Sequence, residues 1–166
     1  MKSETFTFNA IPRSPEELRA LPECDLSTPF KTCALAMLVC LNYENDKDAT
    51  IAMLDVLRGP APTSPYEVQF LRDRLAGKEY VARSFFKGTS PDNNYTIAEP
   101  FTITVEDNPY SYPDENWATM YVQSSGADSK RPIKFRLKPS TGQWFLCDQL
   151  GALASIRVPK EADPWA

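Results

Sequence analysis

Between Trp117 and Asp148 the chain alternates strand-forming runs with turn formers, behind a first half punctuated by helix starts, and this layout constrains the fold most. Ile133, Phe135 and Leu137 alternate with Lys134, Arg136 and Lys138, and earlier Phe101, Ile103 and Val105 alternate with Thr102 and Thr104. Period two is the signature of a strand with one covered face and one wet face. Trp117 to Gln123 and Gln143 to Asp148 are apolar on both faces, which places them centrally or against the helices. Ser140-Thr141-Gly142 reads as a short hairpin link between its neighbours.

The first half carries a repeated start signal, a hydroxyl residue followed by proline, at Ser14-Pro15, Thr28-Pro29 and Ser64-Pro65. The hydroxyl accepts from a free backbone N–H and the proline presets φ for the first turn. Glu17 and Glu67 stand three residues after their serines, which predicts two capping boxes. The helix from Pro29 to about Asn42 is apolar nearly all round and is expected to be the central buried one. A third helix spans about Asp46 to Arg58 and stops at Gly59-Pro60. A fourth runs from Pro65 to about Ala76 with Val68, Leu71 and Leu75 on one face. Gly88 to Pro100 is rich in turn formers and reads as an ordered loop.

Helices first and an antiparallel meander later predict a single α+β domain over residues 1–166. Its helical part covers about 14–77 and its sheet part about 80–158, with the N-terminal helices packed on one face of a curved C-terminal antiparallel sheet. A more closed, barrel-like sheet is the alternative.

Function is bounded mainly by exclusion. The chain has no histidine, which removes Ser–His–Asp and Cys–His hydrolases and a common metal ligand. It has neither GxxxxGK nor GxGxxG, so the common phosphate cradles are missing. No catalytic residue, metal or cofactor is therefore assigned. A net charge of −4 repels phosphate backbones and anionic lipid, so neither nucleic acid nor membrane is expected as a partner. Met1 to Ala10 holds no apolar run of signal-peptide length, and the expected address is the cytoplasm. Cys24, Cys33, Cys40 and Cys147 lack CxxC spacing and read as small core hydrophobes. Glu44, Asp46, Asp48 and Asp55 imitate the spacing of a calcium loop without its turn glycine, and acids at a helix N-terminus are favoured by the macrodipole in any case.

Two surfaces remain as ligand-binding candidates. The loop Ser124-Ser125-Gly126-Ala127-Asp128-Ser129-Lys130-Arg131 offers hydroxyls, backbone N–H groups and two cations to an anionic or sugar-like ligand, through Ser124, Ser125, Gly126, Asp128, Lys130 and Arg131. The competing reading is a solvated hairpin in which Gly126 takes positive φ and Asp128 closes a turn. Tyr110, Tyr112 and Trp117 sit in a proline-bounded stretch, as a stacking platform or as caps on the core edge. The basic strip Lys134, Arg136 and Lys138 fits an acidic partner, or simply a wet strand face.

Several blocks carry a resemblance: Pro29 to Thr32, Gly59 to Leu75, Ser90 to Tyr95, Ser124 to Asp128 with Arg131-Pro132, Thr141 to Trp144, and the ending Asp163 to Ala166. From about Pro12 onward the chain resembles a family of short bacterial proteins, mostly from gut-dwelling Firmicutes, classed as a domain of unknown function. That resemblance implies no activity and brings no functional residue with it. The expectation is a non-catalytic binding or interaction module for a protein or small polar ligand, of unknown oligomeric state. The alternatives are a histidine-free hydrolase using paired carboxylates on a glycan-like substrate, and a self-associating structural subunit.

Overall fold

A computed structural model describes all residues from Met1 to Ala166. Five strands, β1 (Ser3–Phe8), β2 (Phe101–Glu106), β3 (Trp117–Val122), β4 (Arg131–Lys138) and β5 (Gln143–Leu146), form one antiparallel sheet in the order β1-β2-β3-β4-β5. Five helices, α1 (Pro15–Arg19), α2 (Pro29–Cys40), α3 (Lys47–Arg58), α4 (Pro65–Leu75) and α5 (Glu79–Arg83), come between β1 and β2. The fold is α+β, and the sheet curls into a half-barrel whose two edges, β1 and β5, do not meet.

The expectation of a wholly C-terminal sheet needs one correction, because β1 comes from the N-terminus. It pairs along its length with β2, from Ser3 opposite Glu106 to Phe8 opposite Phe101. Its alternation sends Phe6 and Phe8 into the core while Thr5 and Thr7 meet Thr104 and Thr102 on the open face. Between β2 and β3 only two residue pairs are in register, whereas β3 and β4 pair over six. Of the two doubly apolar runs, β3 is central, while β5 is an edge strand whose apolar residues pack against α2 and α3.

Helix α2 is the buried one. Thr28 Oγ1 accepts from Lys31 N at 3.2 Å, Pro29 fills the first turn, and eleven of the twelve residues are buried. The polar exception inside, Thr32, donates to the Trp144 carbonyl at 2.7 Å and so ties the helix to β5. Burial pushes the thiols of Cys33 and Cys40 up, that of Cys40 to about 12. Cys24 and Cys147, also expected in the core, are only half-buried.

The capping box at α4 closes in both directions, Glu67 N to Ser64 Oγ at 3.1 Å and Ser64 N to Glu67 Oε1 at 2.9 Å. At α1 only half of the expected box forms: Ser14 caps Glu17 N at 3.2 Å, but the Glu17 side chain is exposed and does not reach back to the Ser14 N–H. Along α4, Leu71 and Leu75 are buried, while Val68 one turn earlier, expected on the same face, is exposed. Asp46 caps α3 through Ala49 N at 3.0 Å, Asp55 accepts from Thr63 N at 2.7 Å, and Glu44 pairs with Arg83. Three of the four acids with calcium-like spacing are thus spoken for by the fold. The loop from Gly88 to Pro100 is ordered around a 3-10 turn at Pro91–Asn93, followed by the fully buried Tyr95.

Candidate functional site

The loop from Ser124 to Arg131 joins β3 to β4 and works as a strap. Ser124 is buried; its Oγ donates to Ser84 Oγ at 2.7 Å and accepts from Gly126 N at 3.0 Å. Ser125 Oγ donates to the Ser84 carbonyl at 3.1 Å and shares a hydrogen bond with Thr89 Oγ1 at 2.8 Å. Arg131 donates to the carbonyls of Ala154 and Ser155 at 2.5 and 3.2 Å, Lys130 pairs with Glu106, and Asp128 pairs with Arg157. The Ser124 and Ser125 hydroxyls and both cations of this loop have partners within the protein, and Ser129 is exposed. The loop therefore binds the end of α5 to the C-terminal segment.

Gly126 does not take the positive φ expected of it. A Cβ there would lie 2.4 Å from Tyr95 Oη and 2.7 Å from Ile156 Cγ2, so the glycine serves close approach. The Tyr95 hydroxyl passes that point to donate to the Arg157 carbonyl at 2.6 Å.

The three aromatic candidates occupy different environments. Tyr110 is 86% exposed. Tyr112 is about half exposed and its hydroxyl donates to Asp107 Oδ2 at 3.4 Å; burial first, then the neighbouring carboxylate, pushes its phenol up to about 12. Trp117 is half-buried beneath the guanidinium of Arg136, which lies 5.2 Å from the ring centroid.

A cleft of about 370 Å³ opens where the turn after α3 meets the β4–β5 hairpin. Arg58, Arg136 and Lys138 line it, with no carboxylate among them, and Pro60, Leu137 and Phe145 supply apolar wall. Arg58 is the last residue of α3 and its side chain is 2% exposed. Its Nη1 donates to the Asp148 carbonyl at 2.9 Å and lies 3.0 Å from Glu67 Oε2, whose other oxygen closes the α4 capping box. One guanidinium thus ties the end of α3, the start of α4 and the end of β5. Its Nε and Nη2 are buried without an acceptor. A buried donor left unpaired costs about 1–3 kcal/mol, and besides these two only Glu4 Oε2 and Thr63 Oγ1 are buried side-chain polar atoms without a partner.

Gly59 shapes the same place. It follows Arg58 at φ +61°, and a Cβ would lie 2.5 Å from the Phe145 ring. A side chain there meets backbone strain and a steric clash together. Sequence reasoning passes over this cleft because an arginine in the last helical turn looks like a solvated complement to the macrodipole. Arg136 and Lys138 are exposed, as their wet strand face predicts, and they also rim the opening.

Carboxylates gather elsewhere, in a cavity of about 250 Å³ lined by Glu44 and Glu99. Both oxygens of Glu44 already accept from Arg83 Nη2, at 2.8 and 3.0 Å, so Glu44 serves there as an ion-pair partner. No group of three or more Cys, Asp or Glu residues is placed to hold a metal ion, and no helix is long and apolar enough to cross a membrane.

The family described as Domain of unknown function (DUF6935) matches residues 10–160. The chain belongs to that family. The family's span takes in all five helices, the Arg58 cleft and the β3–β4 strap, while β1 lies ahead of it and still pairs with β2 inside it. No curated protein and no solved structure matches the chain.

Proposed function

We propose that this protein is a non-catalytic binding module whose ligand enters the Arg58 cleft. The observation that carries the reading is a buried arginine with two free donors, lining a cleft of about 370 Å³. Small-molecule sites span roughly 300–1,000 Å³ and combine apolar walls with a few placed polar groups, which is the composition of this cleft. The ligand is a small polar molecule, or the end of a protein segment presenting similar chemistry. A bacterial, cytoplasmic setting goes with this reading: the sequence resemblance supports the first, and four free cysteines support a reducing compartment.

The test is a fragment screen by two-dimensional NMR on the intact chain. Binding here predicts that the largest shifts fall on Arg58, Leu137, Phe145 and their neighbours. Hits that perturb the Ser124–Arg131 loop or the Tyr110 region and leave the cleft unmoved would overturn the assignment.

A further inference from the structure

We infer that the cleft takes a small organic anion, a carboxylate joined to an apolar body, with its head group on Arg58. This rests on the cleft being the binding site and adds the chemistry of what it binds. The charge balance is the first argument. The whole chain carries −4, yet the cleft lining holds no acid, and besides Arg58, whose charge Glu67 meets at 3.0 Å, it holds the unpaired Arg136 and Lys138, so the rim is locally positive.

Arginine geometry supplies the second argument. Nε and Nη2 form one edge of the guanidinium, with parallel N–H bonds spaced to meet the two oxygens of a carboxylate. In Arg58 this edge is the unpaired one, while Nη1, at the other side of the fork, is held by Asp148 and Glu67. Glu67 meets the guanidinium through Oε2 at Nη1 alone, while its Oε1 accepts from Ser64 N. The fork is fixed in place with two donors along one edge, a spacing that suits the two oxygens of a carboxylate.

The walls define the rest of the ligand. Pro60, Leu137, Pro139 and Phe145 present apolar surface, and Arg136 and Lys138 stand at the rim, where they attract an anion before it is desolvated. The free edge is closed off from solvent in the unliganded form, and the half-exposed Phe145 ring lies across Gly59 beside it. Binding therefore requires the lining to open far enough to bare Nε and Nη2.

The experiment uses three probes with one apolar body and different heads: octanoate, octanol and octylammonium, titrated into the intact protein at pH 7. Isothermal calorimetry gives affinity, and the side-chain Nε–Hε resonance of Arg58 reports contact. Octanoate should bind and move that resonance downfield, octanol should bind about tenfold weaker or less, and octylammonium should not bind. Because removing Arg58 endangers folding, the variant is the exposed pair Arg136→Gln with Lys138→Gln, which should weaken octanoate severalfold and leave the Arg58 shift at saturation unchanged. Equal binding of all three probes at the cleft would overturn the anion inference and leave the binding site standing. Absence of any cleft shift with every probe would remove both.

Discussion

Replacing Gly126 with alanine tests the central packing claim about the β3–β4 strap. Its φ is not in the left-handed region, so backbone strain contributes nothing, and on propensity alone the change would stabilise by about 0.4–1 kcal/mol. The structure predicts the opposite sign. The new methyl carbon would stand 2.4 Å from Tyr95 Oη, 2.7 Å from Ile156 Cγ2 and 3.2 Å from Arg157 N. Overpacking of a rigid site costs about 1–3 kcal/mol, and displacing the Tyr95 hydroxyl adds about 1 kcal/mol for its hydrogen bond to Arg157. The expected net loss is about 2 kcal/mol, which for a chain of this length lowers Tm by about 4–8 °C. Differential scanning calorimetry would measure it. A double-mutant cycle with Tyr95→Phe sharpens the test, because deleting Oη removes the nearest clashing atom, and the double variant should lose less than the two singles together. An unchanged or higher Tm for Gly126→Ala, or strict additivity with Tyr95→Phe, would refute the close-approach account and restore the solvated hairpin.

Further outcomes follow from the core and the caps. Leu38→Ala, in the last turn of α2 and fully buried, should cost about 2–5 kcal/mol in urea unfolding with little change in the slope. Asp46→Ala removes the cap that accepts from Ala49 N and should cost about 1 kcal/mol by the same assay, independent of added calcium. Cys33 and Cys40 should resist an aromatic disulfide reagent in the native state, while the half-buried Cys24 and Cys147 react first, as read by absorbance. The Cys40 thiol is raised from 9.0 to about 12, so its contribution is fully present below pH 9 and is lost as pH rises from there toward 12, where the unfolded chain releases a proton that the folded chain retains. Stability measured from pH 8.5 to 10.5 should fall, and should fall less steeply in Cys40→Ala.

Helix starts were legible because their chemistry is local. Thr28 and Ser64 each cap a residue three positions on, and nothing distant decides whether that bond forms. The half-formed box at Ser14 shows the limit: whether Glu17 reaches back depends on what surrounds it, and it faces water. The meander of β3, β4 and β5 was legible for a related reason, since alternation and short links specify adjacent antiparallel strands. β1 has the same alternation, but its partner β2 begins more than ninety residues later, so the pairing could not be read from spacing. The roles of the candidate residues were the least legible. Ser124, Ser125, Lys130 and Arg131 look like ligand groups in sequence, and their partners at Ser84, Thr89, Glu106, Ala154 and Ser155 come from elsewhere in the chain.

By itself the sequence determined the buried helix α2, the caps, the period-two strands and an α+β layout, because each depends on contacts within a turn or a hairpin. Only tertiary structure decided that an N-terminal strand completes the sheet, that Gly126 makes room for Tyr95, and that Arg58 is buried beside Arg136 and Lys138. Burial and charge pairing are properties of what surrounds a side chain, and those neighbours arrive from distant parts of the chain.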